Sequence, residues 1–364
     1  MLGRLVKVAV ATSVGVLVLQ GCSAGGDSLP ADVTVGRDPT AIAVSRDGLL
    51  AYVTNRGSRS VSVIDLTSRK VRVTIDVNGT LSDIAVAPDG RTAYVACSNA
   101  GGGVGVLDTT ANTFVKSVGR SSSLSQTTTA LVLSPDGKTV YAVGQGEDGL
   151  GSITVIDTAA QAVRTVIPVH VKDQQEIMRG TYRRLYDAAF APDGRTVYVA
   201  AYSGDPGTSD FAAVVDVAQN AVVAEISVPF LGSHAAVATA ADSAYVVTGL
   251  DEVAAIDISS KKVRKTFAVT NSKSNSPAPV GVALAPDGRS VYAVSSRTGS
   301  VSTLDASTGK IRKAIAAGDA AAGEAPVAVG VTPNGATLAI VIGQAPHSTG
   351  PEVTGRVVFA SAYD

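Results

Sequence analysis

The chain has 364 residues, a formal net charge of −1 and no tryptophan. Near-neutral charge argues against a general nucleic-acid binder, which carries a basic excess, and an aromatic fraction of 4% leaves little for stacked-sugar platforms or aromatic cages. Two cysteines cannot build a disulfide framework, and the length is ample for one large all-β domain.

In chain order, Arg4 and Lys7 precede an apolar run of 12 residues, Val8 to Leu19. That run is shorter than the ~18 residues a membrane span needs, so residues 1–21 read as a secretory signal. It closes on Leu19, Gln20, Gly21 and Cys22, which resembles a bacterial lipobox. The resemblance implies that Cys22 is lipidated and becomes the first residue of the mature chain, with residues 22–31 as a flexible polar tether. Several acyl chains on one residue anchor stably where one does not. The expected address is the extracytoplasmic face of the cell membrane, with the lipid as anchor.

From Pro39 to Val77 four short apolar or β-branched runs alternate with turn chemistry, which predicts four strands. The last alternates strictly: Val71, Val73, Ile75 and Val77 on one side, Arg72, Thr74 and Asp76 on the other, as in a half-exposed strand. The unit then repeats. The turn Arg46 to Gly48 returns as PDG at Pro88, Pro135, Pro192 and Pro286, decays to ADS at Ala241 and ends as PNG at Pro333. Tyr52, Tyr94, Tyr141, Tyr198, Tyr245, Tyr292 and Leu338 follow it, at intervals of 42, 47, 57, 47, 47 and 46 residues by subtraction. An apolar pair closed by aspartate follows at Asp65, Asp108, Asp157, Asp216, Asp257 and Asp305, with Ala360 in the last copy. These aspartates are read as turn formers. Seven four-stranded units at this period predict a seven-bladed β-propeller of antiparallel blades over residues 32–364. Cys97 is then a small apolar group on the second strand of blade two.

Tyr52, Val53, Thr54 and Asn55, with the PDG turn and the apolar-apolar-Asp segment, resemble the YVTN-repeat β-propellers from about Val33 onward. The resemblance implies the fold and an extracytoplasmic or surface setting; it implies no particular chemistry. The last copy supplies only three strands, so Asp32 to Val35 is expected to complete it beside Val357 to Ala360 and close the ring.

In such a blade the first and third turns share one rim, while the second turn and the exit to the next blade share the other. The first pair is short throughout. The additions fall on the opposite rim: Arg120 to Thr128, His170 to Tyr186, Ser203 to Asp210, Thr270 to Ala278, Ala320 to Ala325 and Gly343 to Thr354. Loops on a rigid scaffold carry function, which makes this rim the candidate binding face. Its longest insertion holds Lys172, Arg179, Arg183 and Arg184 with Tyr182 and Tyr186. Arginine at this density suits a carboxylate or phosphate, although charge runs are usually solvated and the residues read first as an amphipathic helical turn covering the channel mouth.

Aligning the turns places Asp83 and Asp187 at the register of Ala41 on the innermost strands, with His234 near the register of Pro39 in blade five. Such a set around one mouth could bind a cation or exchange protons, or could be padding that accepts backbone N–H groups. No GxSxG, P-loop or CxxC motif occurs, and three histidines do not make a multi-histidine metal or haem site. Neither a catalytic set nor a metal site nor a cofactor is assigned. The expected function is a membrane-anchored binding or scaffold protein that takes a protein or cell-envelope ligand on its loop-rich face, as a monomeric ring without nucleic acid. The alternative is an extracytoplasmic lactonase- or lyase-type enzyme using Asp83, Asp187 and His234.

Overall fold

The computed structural model describes residues 32–98, 103–119, 127–146, 150–169, 184–202, 210–229, 236–248, 252–270, 279–319, 322–345 and 353–362. Twenty-eight strands run through them. They form seven antiparallel four-stranded blades, those of blades two and three being joined by one bridge between Thr127 and Ser98. The innermost strands are Pro39–Val44, Thr80–Val86, Thr127–Leu133, Arg184–Phe190, Val237–Thr239, Pro279–Leu284 and Glu324–Val331. Each lies beside the next and the seventh lies beside the first, so the ring is closed around a central channel.

The repeat maps onto the blade as its residue chemistry requires. The turn aspartate orients the first hairpin: Asp47 Oδ1 accepts the Leu49 N–H at 3.0 Å and the Ser45 hydroxyl at 2.5 Å. Asp89, Asp136, Asp193 and Asp287 take the N–H two residues on, and Asn334 does so in the last blade. The glycine after each aspartate has positive φ, for example 72° at Gly48, where a Cβ would be strained. The third turn works alike: Asp65 Oδ1 accepts the N–H groups of Thr67 at 3.0 Å and Ser68 at 2.7 Å, and Asp108, Asp157, Asp216, Asp257 and Asp305 repeat the pattern. These aspartates are turn formers, as the sequence predicts.

The core is spread over seven apolar clusters, one between each pair of neighbouring blades. Middle strands are buried on both faces and outer strands on one, which reproduces the alternation in Lys70–Asp76. The recurrent tyrosines are struts. Tyr52, Tyr141, Tyr198 and Tyr292 are almost fully buried, the Tyr245 hydroxyl donates to the Ala306 carbonyl of blade six at 3.2 Å, and that of Tyr292 to Ala362 of blade seven at 3.3 Å. Cys97 is a free, buried thiol that donates weakly to the Val95 carbonyl.

The N-terminal strand Val33–Arg37 is the outer strand of blade seven and closes the ring, as expected. Its register differs from the expectation. Val33 pairs with Val357 and Arg37 with Thr354, so the clasp lies against residues 354–357 and not against Val357 to Ala360. Antiparallel pairing sets this: from Val33 onward the chain can only run back towards Thr354. Arg356 locks the clasp, donating to Asp32 and, at 2.7 Å, to Glu324 Oε2. Four connections are also shorter than the sequence predicts, because the inner strands start at Thr127, Arg184 and Glu324, and in blade seven the strands run to Gln344 and from Thr354.

Candidate functional site

The channel is lined by inner strands, and six of the seven share one irregularity. A bulge interrupts pairing with the second strand between Pro39 and Ala41, Leu81 and Asp83, Thr128 and Ala130, Leu185 and Asp187, Pro279 and Gly281, and Pro326 and Ala328. A bulge leaves backbone groups without ladder partners, so side chains must supply them. In blades one to three a hydroxyl does so across the blade boundary: Thr40 donates to Leu81 O at 3.4 Å, Ser82 to Thr128 O at 2.9 Å and Thr129 to Leu185 O at 2.7 Å.

Asp83 and Asp187 occupy equivalent positions just after their bulges, as the aligned turns predict. Asp83 Oδ1 accepts the Ile84 N–H at 2.8 Å, and its Oδ2 reaches into blade three for the Leu131 N–H at 2.7 Å. Asp187 does the same with Ala188 and, in blade five, Val237, both at 2.8 Å. Each carboxylate thus ties two inner strands together. Both residues are half-buried. Burial in the centre of the ring, reinforced by the charge of Asp187, pushes Asp83 up to about 7 against the pull of its two N–H donors. Burial pushes Asp187 up to about 6, opposed by the N–H groups of Val237 and Ala188. These groups can therefore hold protons near neutral pH, and their oxygens already serve the backbone.

The remaining candidates separate. Arg184 is exposed as the first residue of its inner strand, opposite Tyr202. Tyr186 is not in a loop: it lies within the strand and packs on the apolar cluster between blades four and five. Arg179, Tyr182, Arg183 and His234 lie outside the described residues, as do Lys172 and Cys22. Among the described residues no grouping of three or more His, Cys, Asp or Glu could hold a metal ion. The hydroxyl column of Thr40, Ser82 and Thr129 is absent from the sequence reading; its signal was a hydroxyl residue one position before Ala41, Asp83 and Ala130.

The two rims differ in kind. On one, every turn is a short structure whose aspartate, hydroxyl and backbone groups bond one another, as at Ser45 to Leu50 and Asp65 to Ser68. The strand ends flanking all the long connections meet on the other.

No family model matches the chain. The seven-bladed β-propeller protein Rv1057 of Mycobacterium tuberculosis is 34% identical over 130 residues, which are 35% of this chain and 32% of that protein. The matched stretch therefore spans about a third of that relative's length. A chain of Kuenenia stuttgartiensis hydrazine synthase superposes with a TM-score of 0.69 at 19% identity, over 88% of this chain and 96% of that one. At that identity the likeness concerns the fold alone.

Proposed function

We propose that this seven-bladed ring is a YVTN-type binding or scaffold protein, tethered through Cys22 to the extracytoplasmic face of the membrane, and that it takes a protein or cell-envelope ligand on its loop-bearing rim. The observation that carries this reading is the asymmetry of the rims. One is made of short turns whose aspartates and backbone groups bond one another; the other receives every long connection, including the Arg- and Tyr-rich stretch that leads into Arg184. A rigid ring with variable loops on one face is the arrangement in which loops carry recognition. Asp83 and Asp187 fit as inner stitching of that scaffold, since each already accepts two backbone N–H groups.

The test is a pull-down from cross-linked membranes with the full chain beside a variant lacking Lys172 to Leu185, with thermal melting as the folding control. A partner captured by the first and lost from a folded variant supports the rim; capture unchanged by the deletion sinks it. The lactonase- or lyase-type alternative draws on the raised carboxyl of Asp83, half-buried on an innermost strand. It requires that divalent ions raise the melting temperature and that Asp83→Asn and Asp187→Asn remove the rise.

A further inference from the structure

The outer wall of the ring is two different surfaces. On blades two to four the exposed outer-strand positions include Val115, Val163, Val166 and Val223. On blades one, five and six the equivalent strands, Lys70–Asp76, Lys262–Ala268 and Ile311–Ala316, expose two or three lysines and arginines each, against the single Lys116 and Arg164 on blades two and three. Blades five and six carry the same pattern on and just before these strands, Lys262, Arg264 and Lys265 followed by Lys310, Arg312 and Lys313. Some of this charge is met locally: Arg312 pairs with Asp305, Arg264 stands 3.9 Å from Asp242, and Lys265 donates to the Thr308 carbonyl at 2.7 Å.

Blade seven lies between blades six and one, and residues 1–31 join the ring at its outer strand through Asp32. The segment proposed to carry the lipid therefore meets the ring on the wall whose flanks are cationic. Val33–Arg37 lies beside the Lys70–Asp76 strand of blade one, and Arg69 of that blade sits over the Phe359 ring of blade seven, 5.2 Å from its centroid.

We infer that this wall docks on an anionic bilayer, so that the tethered ring stands edge-on with blades six, seven and one towards the lipid and its loop-bearing rim facing sideways. The direction rests on the tethered reading; the charge preference does not. A bilayer is flat and the wall convex, so contact centres on blade seven. Basic residues on blades one and six, the immediate neighbours of blade seven, act across the gap, which a Debye length of about 10 Å at 0.1 M salt allows. Each basic residue close to an anionic surface strengthens binding roughly five-fold.

The experiment mixes the full chain carrying Cys22→Ser, so that no acyl chain contributes, with vesicles of phosphatidylcholine alone or with phosphatidylglycerol added. We expect tighter binding to the anionic vesicles, weakened by salt. The variant Lys70→Glu, Arg72→Glu, Lys310→Glu, Lys313→Glu should lose on the order of 100-fold of that preference while melting at the wild-type temperature. Equal binding to both vesicles overturns the inference. So does a preference that survives the four reversals, or one lost equally on reversing Lys138 and Arg164 of blade three, across the ring, which would report net charge alone. Mass spectrometry of wild-type Cys22 in the membrane fraction tests the tether separately, so failure of the anchor and failure of the wall are told apart.

Discussion

Neighbouring blades are held together in two ways around the same ring. From blade one to blade five the channel side is stitched by polar side chains: Thr40, Ser82 and Thr129 on carbonyls of the next blade, Asp83 and Asp187 on its N–H groups. In blades six and seven the same column is Val280 with Gly281 and Val327 with Ala328, and those junctions close by apolar packing, with Gly330 set against Ile42 and Val44. The clasp between blades seven and one adds Val33, Val35, Val357 and Phe359. A polar stitch contributes little net stability while intact and costs more when half of it is removed; an apolar junction loses stability in proportion to what is cut away.

That contrast orders the expected effects. The largest is at the apolar closure. Phe359→Ala removes a ring only 1% exposed and should cost about 3–5 kcal/mol in denaturant unfolding; a loss below about 1 kcal/mol would show that the clasp does not hold the ring. Next is Gly355→Ala at the same junction, where a Cβ would lie 2.5 Å from Gly36 O and 2.6 Å from Pro39 Cγ. It should cost about 1–3 kcal/mol through overpacking, read in the same unfolding curve. Asp83→Ala, on the stitched side, leaves the N–H groups of Ile84 and Leu131 without their acceptor. A loss of about 1–3 kcal/mol is expected, and Ser82→Ala should lose less.

The pH dependence sharpens the comparison further. The folded ring raises the carboxyls of Asp83 to about 7 and Asp187 to about 6 from 3.8, so it holds their protons more tightly than the unfolded chain does. Stability from these two groups is fully present below the unfolded value and is lost as pH rises through about 6 to 7. The melting temperature should therefore fall between pH 5 and pH 8, and the double variant Asp83→Asn, Asp187→Asn should flatten that slope. The turn aspartates have the opposite sign. Hydrogen bonds to Ser307, Thr308 and Arg312 hold Asp305 below the usual range, and those of Ser260 and Ser259 hold Asp257 down to about 2. Their contribution is present above 3.8 and is lost only as pH falls through their lowered values.

The smallest effect separates two tyrosines of one column. Tyr245→Phe loses the bond to Ala306 O and should cost about 0.5–1.5 kcal/mol. The Tyr198 hydroxyl is buried without a hydrogen-bond partner, so Tyr198→Phe should be neutral or slightly stabilising. Equal losses at the two sites would mean that the column acts by ring packing alone.

Blade number, strand order and turn chemistry were legible because each is written locally and repeated: Asp65 to Ser68 is a turn whatever surrounds it, and six copies make the period unmistakable. The register of Asp83 and Asp187 could be read for the same reason, by counting from the turns. Their partners could not, because Leu131 and Val237 lie 48 and 50 residues away and become neighbours only when the ring closes. The clasp register was missed by a few residues, since pairing partners at opposite ends of a chain leave no local trace. Tyr186 looked like a loop residue and became part of a strand because tertiary packing extended Arg184–Phe190 beyond its apolar run. The sequence by itself determined the repeating unit, since hydrophobic alternation and Asx turns act within a few residues. Only the tertiary structure decided which carboxylates rise in pKa, which strands they join and which wall is cationic, because burial and charge proximity come into being when seven distant segments share one channel and one circumference.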